Sequence, residues 1–226
     1  MPENTKNLNN DFEKITDNLY VIKFFPKTAE TVALNYLLLT KKGNFIFAGC
    51  HAINENGYKF IKKKGKVNGV FVSHHHEVVK DIHVALKKIK SNLYIGEKDF
   101  NTCKKKVQDP SGLRKLEELS WDDLPFEVIK APGHTAGFHF FVYREKGKTY
   151  LFSGDFMVVS EEGISAWHLK KKQEDDILNN IKILKKMKID YILPIFTKGD
   201  MSLPIALSSK DKNGFLKAVA AEIRDM

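Results

Sequence analysis

The chain is 226 residues long, 42% hydrophobic and 29% charged, the make-up of a globular protein with enough length for a substantial core, in one large domain or two small ones. Its formal net charge of +9 admits nucleic acid or an anionic substrate, but the lysines fall in triplets at 62–64, 104–106 and 170–172 with no interleaved aromatic residues, the pattern of a solvated surface. Two cysteines, Cys50 and Cys103, give neither a disulfide framework nor a Cys-x-x-Cys motif, residues 1–10 carry no apolar signal segment, and no run nears the ~18 apolar residues of a membrane span, so a cytoplasmic protein with no membrane partner is expected.

Residues 1–13, rich in Asn, Lys and acidic side chains, are expected to be flexible, with a single domain over 14–226. Residues 15–25 read as a first strand. Residues 31–40, Thr-Val-Ala-Leu-Asn-Tyr-Leu-Leu-Leu-Thr, read as a second, turning through Lys-Lys-Gly-Asn at 41–44 into a strand at 45–48. The pattern then changes to strand-helix units. A short helix at 53–64, broken by Gly57, leads to a strand at 67–72. A helix follows at 78–90, where Val79, Ile82, Leu86 and Ile89 recur at helical spacing. A short strand at 92–95 and a helix at 99–107 precede the break Asp109-Pro110-Ser111-Gly112. Further strands are predicted at 126–130, 138–143 and 149–152, then an amphipathic helix at 175–187, a strand at 189–193 and a closing helix at 210–224. Both halves read as strands followed by strand-helix units, with no Pro-, Gly- or Ser-rich linker between them. The prediction is an α/β protein, a four-layer αββα sandwich of two mixed β-sheets flanked by helices.

Polar residues gather where the strands end. The strand at 67–72 runs into Ser73-His74-His75-His76-Glu77, that at 126–130 into Ala-Pro-Gly-His-Thr, and that at 149–152 into Ser-Gly-Asp. On an extended chain, residues two apart point to one side, so His74 and His76 aim at one point and His75 away. Ligands in α/β folds bind at the carboxyl ends of strands. If these strands share an edge, His74, His76, His134 and Asp155 converge there. Three imidazoles and a carboxylate suit zinc or iron, whereas two histidines in ordinary hydrogen bonds would be the plainer reading of the first motif alone. Gly133 and Gly154 each precede a candidate ligand, which suits tight turns beside a metal.

Taken in order, a His-x-His at 74–76, Ala-Pro-Gly-His-Thr-Ala-Gly at 131–137 and Phe-Ser-Gly-Asp at 152–155 resemble the metallo-β-lactamase fold superfamily. Its members include glyoxalase II-like thioesterases, persulfide dioxygenases and RNA-processing nucleases. The resemblance covers about residues 15–200 and implies the same αββα sandwich. The chain departs from the family at its second metal site. Where the first motif reads His-x-His-x-Asp-His, Val78 and Val79 stand at the Asp and final His. Phe196 stands where the last metal histidine would be, and no acidic residue follows the early strand near 47–49.

The resemblance therefore implies a mononuclear metal-dependent hydrolase acting on an ester, thioester or amide small molecule. One zinc would be held by His74, His76 and His134, with Asp155 as a further ligand or as the catalytic proton acceptor. One iron, held by His74, His134 and Asp155 as in persulfide dioxygenases, is an alternative. A non-catalytic binding or scaffold protein that keeps the fold is another, and nucleic-acid processing is disfavoured because the second metal site is lost. Trp167, Phe156 and Phe196 are candidate walls of a substrate pocket, with ordinary packing the other reading of the first two. Asp81 and His83 are candidates to replace lost ligands, against a plain helix-surface role. His139 is read as a core or sheet-face residue, Cys50 as small and buried, and His51 and His168 as loop residues without a motif.

Overall fold

A computed structural model of the chain describes residues 11–24, 31–49, 53–166 and 170–226. The first half runs β1 (Glu13–Lys14), β2 (Leu19–Phe24), β3 (Thr31–Thr40), β4 (Gly43–Phe47), α1 (Glu55–Lys64), β5 (Val67–Phe71), α2 (Ile82–Ile89), β6 (Leu93–Ile95), α3 (Glu97–Lys106) and β7 (Leu113–Lys115). The second runs β8 (Glu127–Lys130), β9 (His139–Glu145), β10 (Lys148–Gly154), β11 (Val158–Ser160), β12 (Gly163–Ser165), α4 (Glu174–Lys186), β13 (Tyr191–Pro194), β14 (Phe196–Lys198), β15 (Ile205–Ala206) and α5 (Ser209–Asp225). One mixed sheet has the order β12-β11-β14-β3-β4-β5-β6-β7, with β2 also paired to β3. The other has the order β15-β13-β10-β9-β8.

Side-chain alternation builds four layers from these two sheets. In β4, Phe45 and Phe47 face the second sheet while Ile46 faces the helices. In β9, Phe141 faces inward while Phe140 and Val142 face outward. The central stretches of these strands, Phe45–Phe47 and Phe140–Val142, are therefore apolar on both faces, as expected where helices cover a sheet. The inter-sheet layer is largely aromatic: the rings of Phe47 and Phe152 stack across it at 3.9 Å, and Phe126 meets Phe71 edge-on at 5.0 Å. Outside the first sheet, Ile61, Ile82 and Leu86 of α1 and α2 pack on Val70 and Leu93. Outside the second, Ile181 of α4 and Leu216 of α5 pack on Leu151 and Ile192. Lys212 of α5 is buried, with its ammonium donating to the carbonyls of Leu184 (3.2 Å) and Met187 (2.7 Å), which satisfies the open carbonyl end of α4.

The four-layer sandwich is as expected, with local differences. Gly57 does not break α1. It lies in the first turn, where its N–H donates to the Asn54 side chain at 2.8 Å, and a Cβ there would meet Ile53 Cγ2 at 2.8 Å. The helix expected from residue 78 starts at Ile82, because Val78 is extended and fully buried. Strands β11, β12 and β14, not expected from the sequence, return the chain to the first sheet. They are short: β12 pairs with its neighbour β11, and this hairpin joins the sheet through β14, which pairs with β3. Residues 1–10 of the expected flexible segment, and Cys50, His51, Trp167 and His168, lie outside the described residues. Among the described residues, no helix is long and apolar enough to cross a membrane.

Candidate metal centre

Three loops meet at the carboxyl ends of β5, β8 and β10. The first follows β5: His74 is extended (φ −162°, ψ 173°) and His75–Glu77 forms one 3₁₀ turn. This corrects the expectation that strand alternation aims His74 and His76 together, since the strand ends at Phe71. The turn itself aims them. A 3₁₀ turn also eclipses residues three apart, so Glu77 lies against His74, its Oε1 3.2 Å from His74 Nδ1.

The second loop carries His134 between β8 and β9. Gly133 has φ +148°, and a Cβ there would meet Ile177 at 3.0 Å and Asn180 at 3.2 Å. Asn180 of α4 is buried and donates to the carbonyls of Ala131 (3.1 Å) and Pro132 (2.6 Å). The third loop presents Asp155 after Gly154, whose φ is +53° and whose Cβ position lies 2.2 Å from Ser73 Oγ. Only glycine fits this left-handed position against the first loop.

The three loops bring His74, His76, His134 and Asp155 together, with one ligand atom from each lying within 4.8 Å of all the others. Asp155 Oδ2 is 3.1 Å from His74 Nε2 and 3.3 Å from His134 Nε2, and His76 Nδ1 is 3.0 Å from His134 Nε2. His74, His134 and Asp155 are buried, and His76 opens to solvent.

This set fits a divalent metal on two grounds. First, Asp155 Oδ1 is buried without a hydrogen-bond partner, a costly state that a cation would relieve. Second, three imidazoles with a carboxylate are a known donor set for zinc and iron.

The electrostatics are those of competing imidazoles. Burial acts to lower the pKa of His74, but hydrogen bonds to Asp155 and Glu77 outweigh it and raise the value to about 9. Burial and repulsion from His74, His75 and His134 lower His76 to about 4.

Glu77 was not singled out by sequence reasoning, although its place three residues after a candidate ligand was the available signal. It is buried and accepts from Ser73 N at 2.7 Å and from Ser73 Oγ. A carboxylate behind a ligating histidine fixes its tautomer and strengthens its basicity.

Beside the cluster lies a cavity of about 290 Å³ lined by Thr31, Ala33, His76, Glu77, Asp155, Ile195 and Phe196. Phe196 is thus at the wall. Phe156 is a core residue instead, meeting Phe140 and Phe215 edge-on. Val78 and Val79 pack into the core between the first sheet and its helices. Asp81 is exposed, and His83 lines a separate cleft with Leu86, Lys87 and Ser111. Neither joins the cluster. His139 is buried in β9, with its Nδ1 2.9 Å from the Gly137 carbonyl.

No protein-family model matches the chain, and no curated protein matches it. Solved structures do. Metallo-beta-lactamase IND-7 aligns at a TM-score of 0.63 with 22% identity, over 92% of this chain and 96% of its own. DIM-1 metallo-beta-lactamase aligns at 0.66 with 17% identity, over 95% and 96%. A metallo-beta-lactamase family protein from Thermus thermophilus aligns at 0.61 with 16% identity, over 94% and 81%.

Proposed function

Because the chain has the metallo-β-lactamase fold, we propose that it is a metal-dependent hydrolase with a mononuclear centre, acting on an ester, thioester or amide of a small molecule. The observation that carries this reading is the convergence of three imidazoles and one carboxylate within 4.8 Å. His74, His76 and His134 would hold one zinc, with Asp155 beneath them. A zinc ion there supplies Lewis acidity, polarising a carbonyl oxygen and making a water molecule easier to deprotonate.

The chain's own residues do the rest. Glu77 and Ser73 hold His74 Nδ1 so that Nε2 faces the centre. Asp155 has one oxygen against the histidines and the other unpartnered, which suits it to accept a proton from the attacking water. Phe196, Ile195 and Ala33 give the adjoining cavity an apolar side, which would shelter the uncharged part of a substrate from water.

One observation favours a second reading. Asp155 Oδ2 approaches Nε2 of both His74 and His134, while His76 is the exposed member. Two histidines and a carboxylate on one face suit a single iron and a dioxygenase of the persulfide type.

The test is a panel of aryl esters, lactones, thioesters and amides with zinc-loaded protein, beside Asp155→Asn. Turnover of at least one class is expected, reduced about a hundredfold to ten-thousandfold in the variant. Loaded protein that turns over none of them, or a variant as active as wild type, would overturn the hydrolase. Oxygen consumption with a persulfide by the iron-loaded protein alone would select the second reading.

A further inference from the structure

The middle histidine of the first motif is not a ligand in the arrangement above, yet it is not idle. We infer that His75 and Asp99 form a tether, with Asp99 a positioning residue that locks the two histidine-bearing loops of the candidate centre to each other.

Asp99 lies in the first turn of α3 and is buried. Its Oδ2 accepts from the His75 N–H at 3.2 Å, lies 3.2 Å from His75 Nδ1, and accepts from Thr135 Oγ1 at 2.6 Å. Its Oδ1 accepts from the Gly137 N–H at 3.2 Å. His75 stands between His74 and His76, and Thr135 follows His134. One carboxylate therefore grips the immediate neighbour of every imidazole in the cluster.

The fit around it is close. A Cβ on Gly137 would lie 2.7 Å from Asp99 Cγ, and one on Gly96 would lie 2.2 Å from the Gly137 carbonyl oxygen. A bulkier residue at either position would push α3 off the loop.

The partners also explain why the residue is ionisable. Two are backbone N–H groups and one is a hydroxyl, so the site asks for acceptors on both oxygens. Charge-assisted bonds of this kind are stronger than neutral ones. An asparagine would turn its NH₂ towards a donor on one side or the other. A helix N-terminus offsets part of the cost of burying the charge. Metal ligands need placement to within about 0.5 Å, supplied by the groups behind them, and this carboxylate acts on both loops at once.

The assignment rests on the metal-centre reading, but the loop coupling is measurable without metal. The experiment compares wild type, Asp99→Asn and Thr135→Val as full chains. Cobalt(II) is titrated by its visible absorption band in competition with a chelator. Hydrogen exchange at the His75 and Gly137 amides is followed in the metal-free proteins. Asp99→Asn is expected to weaken cobalt binding about tenfold to hundredfold, to alter the band, and to speed exchange at both amides together. Thr135→Val is expected to act in the same direction by a smaller factor. Wild-type affinity, band and exchange in a folded Asp99→Asn would overturn the tether. If wild type binds no cobalt, the metal-centre reading fails and exchange decides: both loops loosened supports the coupling, one or neither overturns it. If Asp99→Asn does not fold, Thr135→Val, which removes a single hydroxyl, decides by the same readouts.

Discussion

His76 Nδ1 lies 3.0 Å from His134 Nε2, although 58 residues separate them in the chain. Two nitrogens at that distance share one proton or one cation. Only the packing of two sheets brings the loops that carry them to one edge.

The carboxylate behind His74 gives the first prediction. Glu77→Ala removes the group that fixes His74 and leaves the Ser73 N–H and hydroxyl without their acceptor. Metal affinity should fall about tenfold to hundredfold, and stability by about 1–3 kcal/mol. Chelator competition and chemical denaturation measure the two effects. Unchanged affinity would show that Glu77 has no part in orienting the histidine.

The second prediction concerns pH in the metal-free protein. The pKa of His74 is raised from 6.5 to about 9, burial being outweighed by the Asp155 and Glu77 carboxylates. Its proton therefore stabilises the fold fully below pH 6.5, and that contribution is lost as pH rises through 9. His76 is lowered from 6.5 to about 4 by burial and by the neighbouring imidazoles, so charging it costs stability as pH falls from 6.5 through 4. Denaturation midpoints of metal-free protein should decline on both sides of about pH 6.5. Metal loading replaces the proton on His74 and should remove the alkaline decline. A metal-free protein equally stable at pH 6.5 and pH 9 would contradict the assignment.

A third prediction tests whether position 78 can contribute a metal ligand. Val78 is fully buried among apolar side chains, so restoring an acid there does not restore a ligand. Val78→Asp should cost at least about 3 kcal/mol in denaturant unfolding, because it places an unpaired carboxylate in the core. It should add no metal to the protein. A stable variant binding a second metal would mean that the 3₁₀ turn can rotate this side chain into the centre.

Much of this was legible in the sequence because it is locally written. The uninterrupted apolar runs Phe45-Ile46-Phe47 and Phe140-Phe141-Val142 are what strands buried on both faces require. His74, His76, His134 and Asp155 could be named because each closes an apolar strand, two of them directly after a glycine. The rest depended on distant partners. Strands such as Phe196–Lys198 exist through pairing with Thr31–Ala33, which no local pattern announces. Val78 reads as the start of a helix, but its burial against the first sheet holds it extended. The roles of His75 and Asp99 were hidden for the same reason: 24 residues separate them. Phe156, a candidate pocket wall on sequence grounds, is claimed by the core beneath α5.

The measurement that bears most directly on the central claim is the metal content of protein purified without chelators or a histidine tag, by elemental mass spectrometry, beside His134→Ala. The four converging side chains predict about one zinc or iron per chain in wild type and none in the variant. A folded wild-type protein that takes up no metal, or one that holds two, would contradict a mononuclear centre.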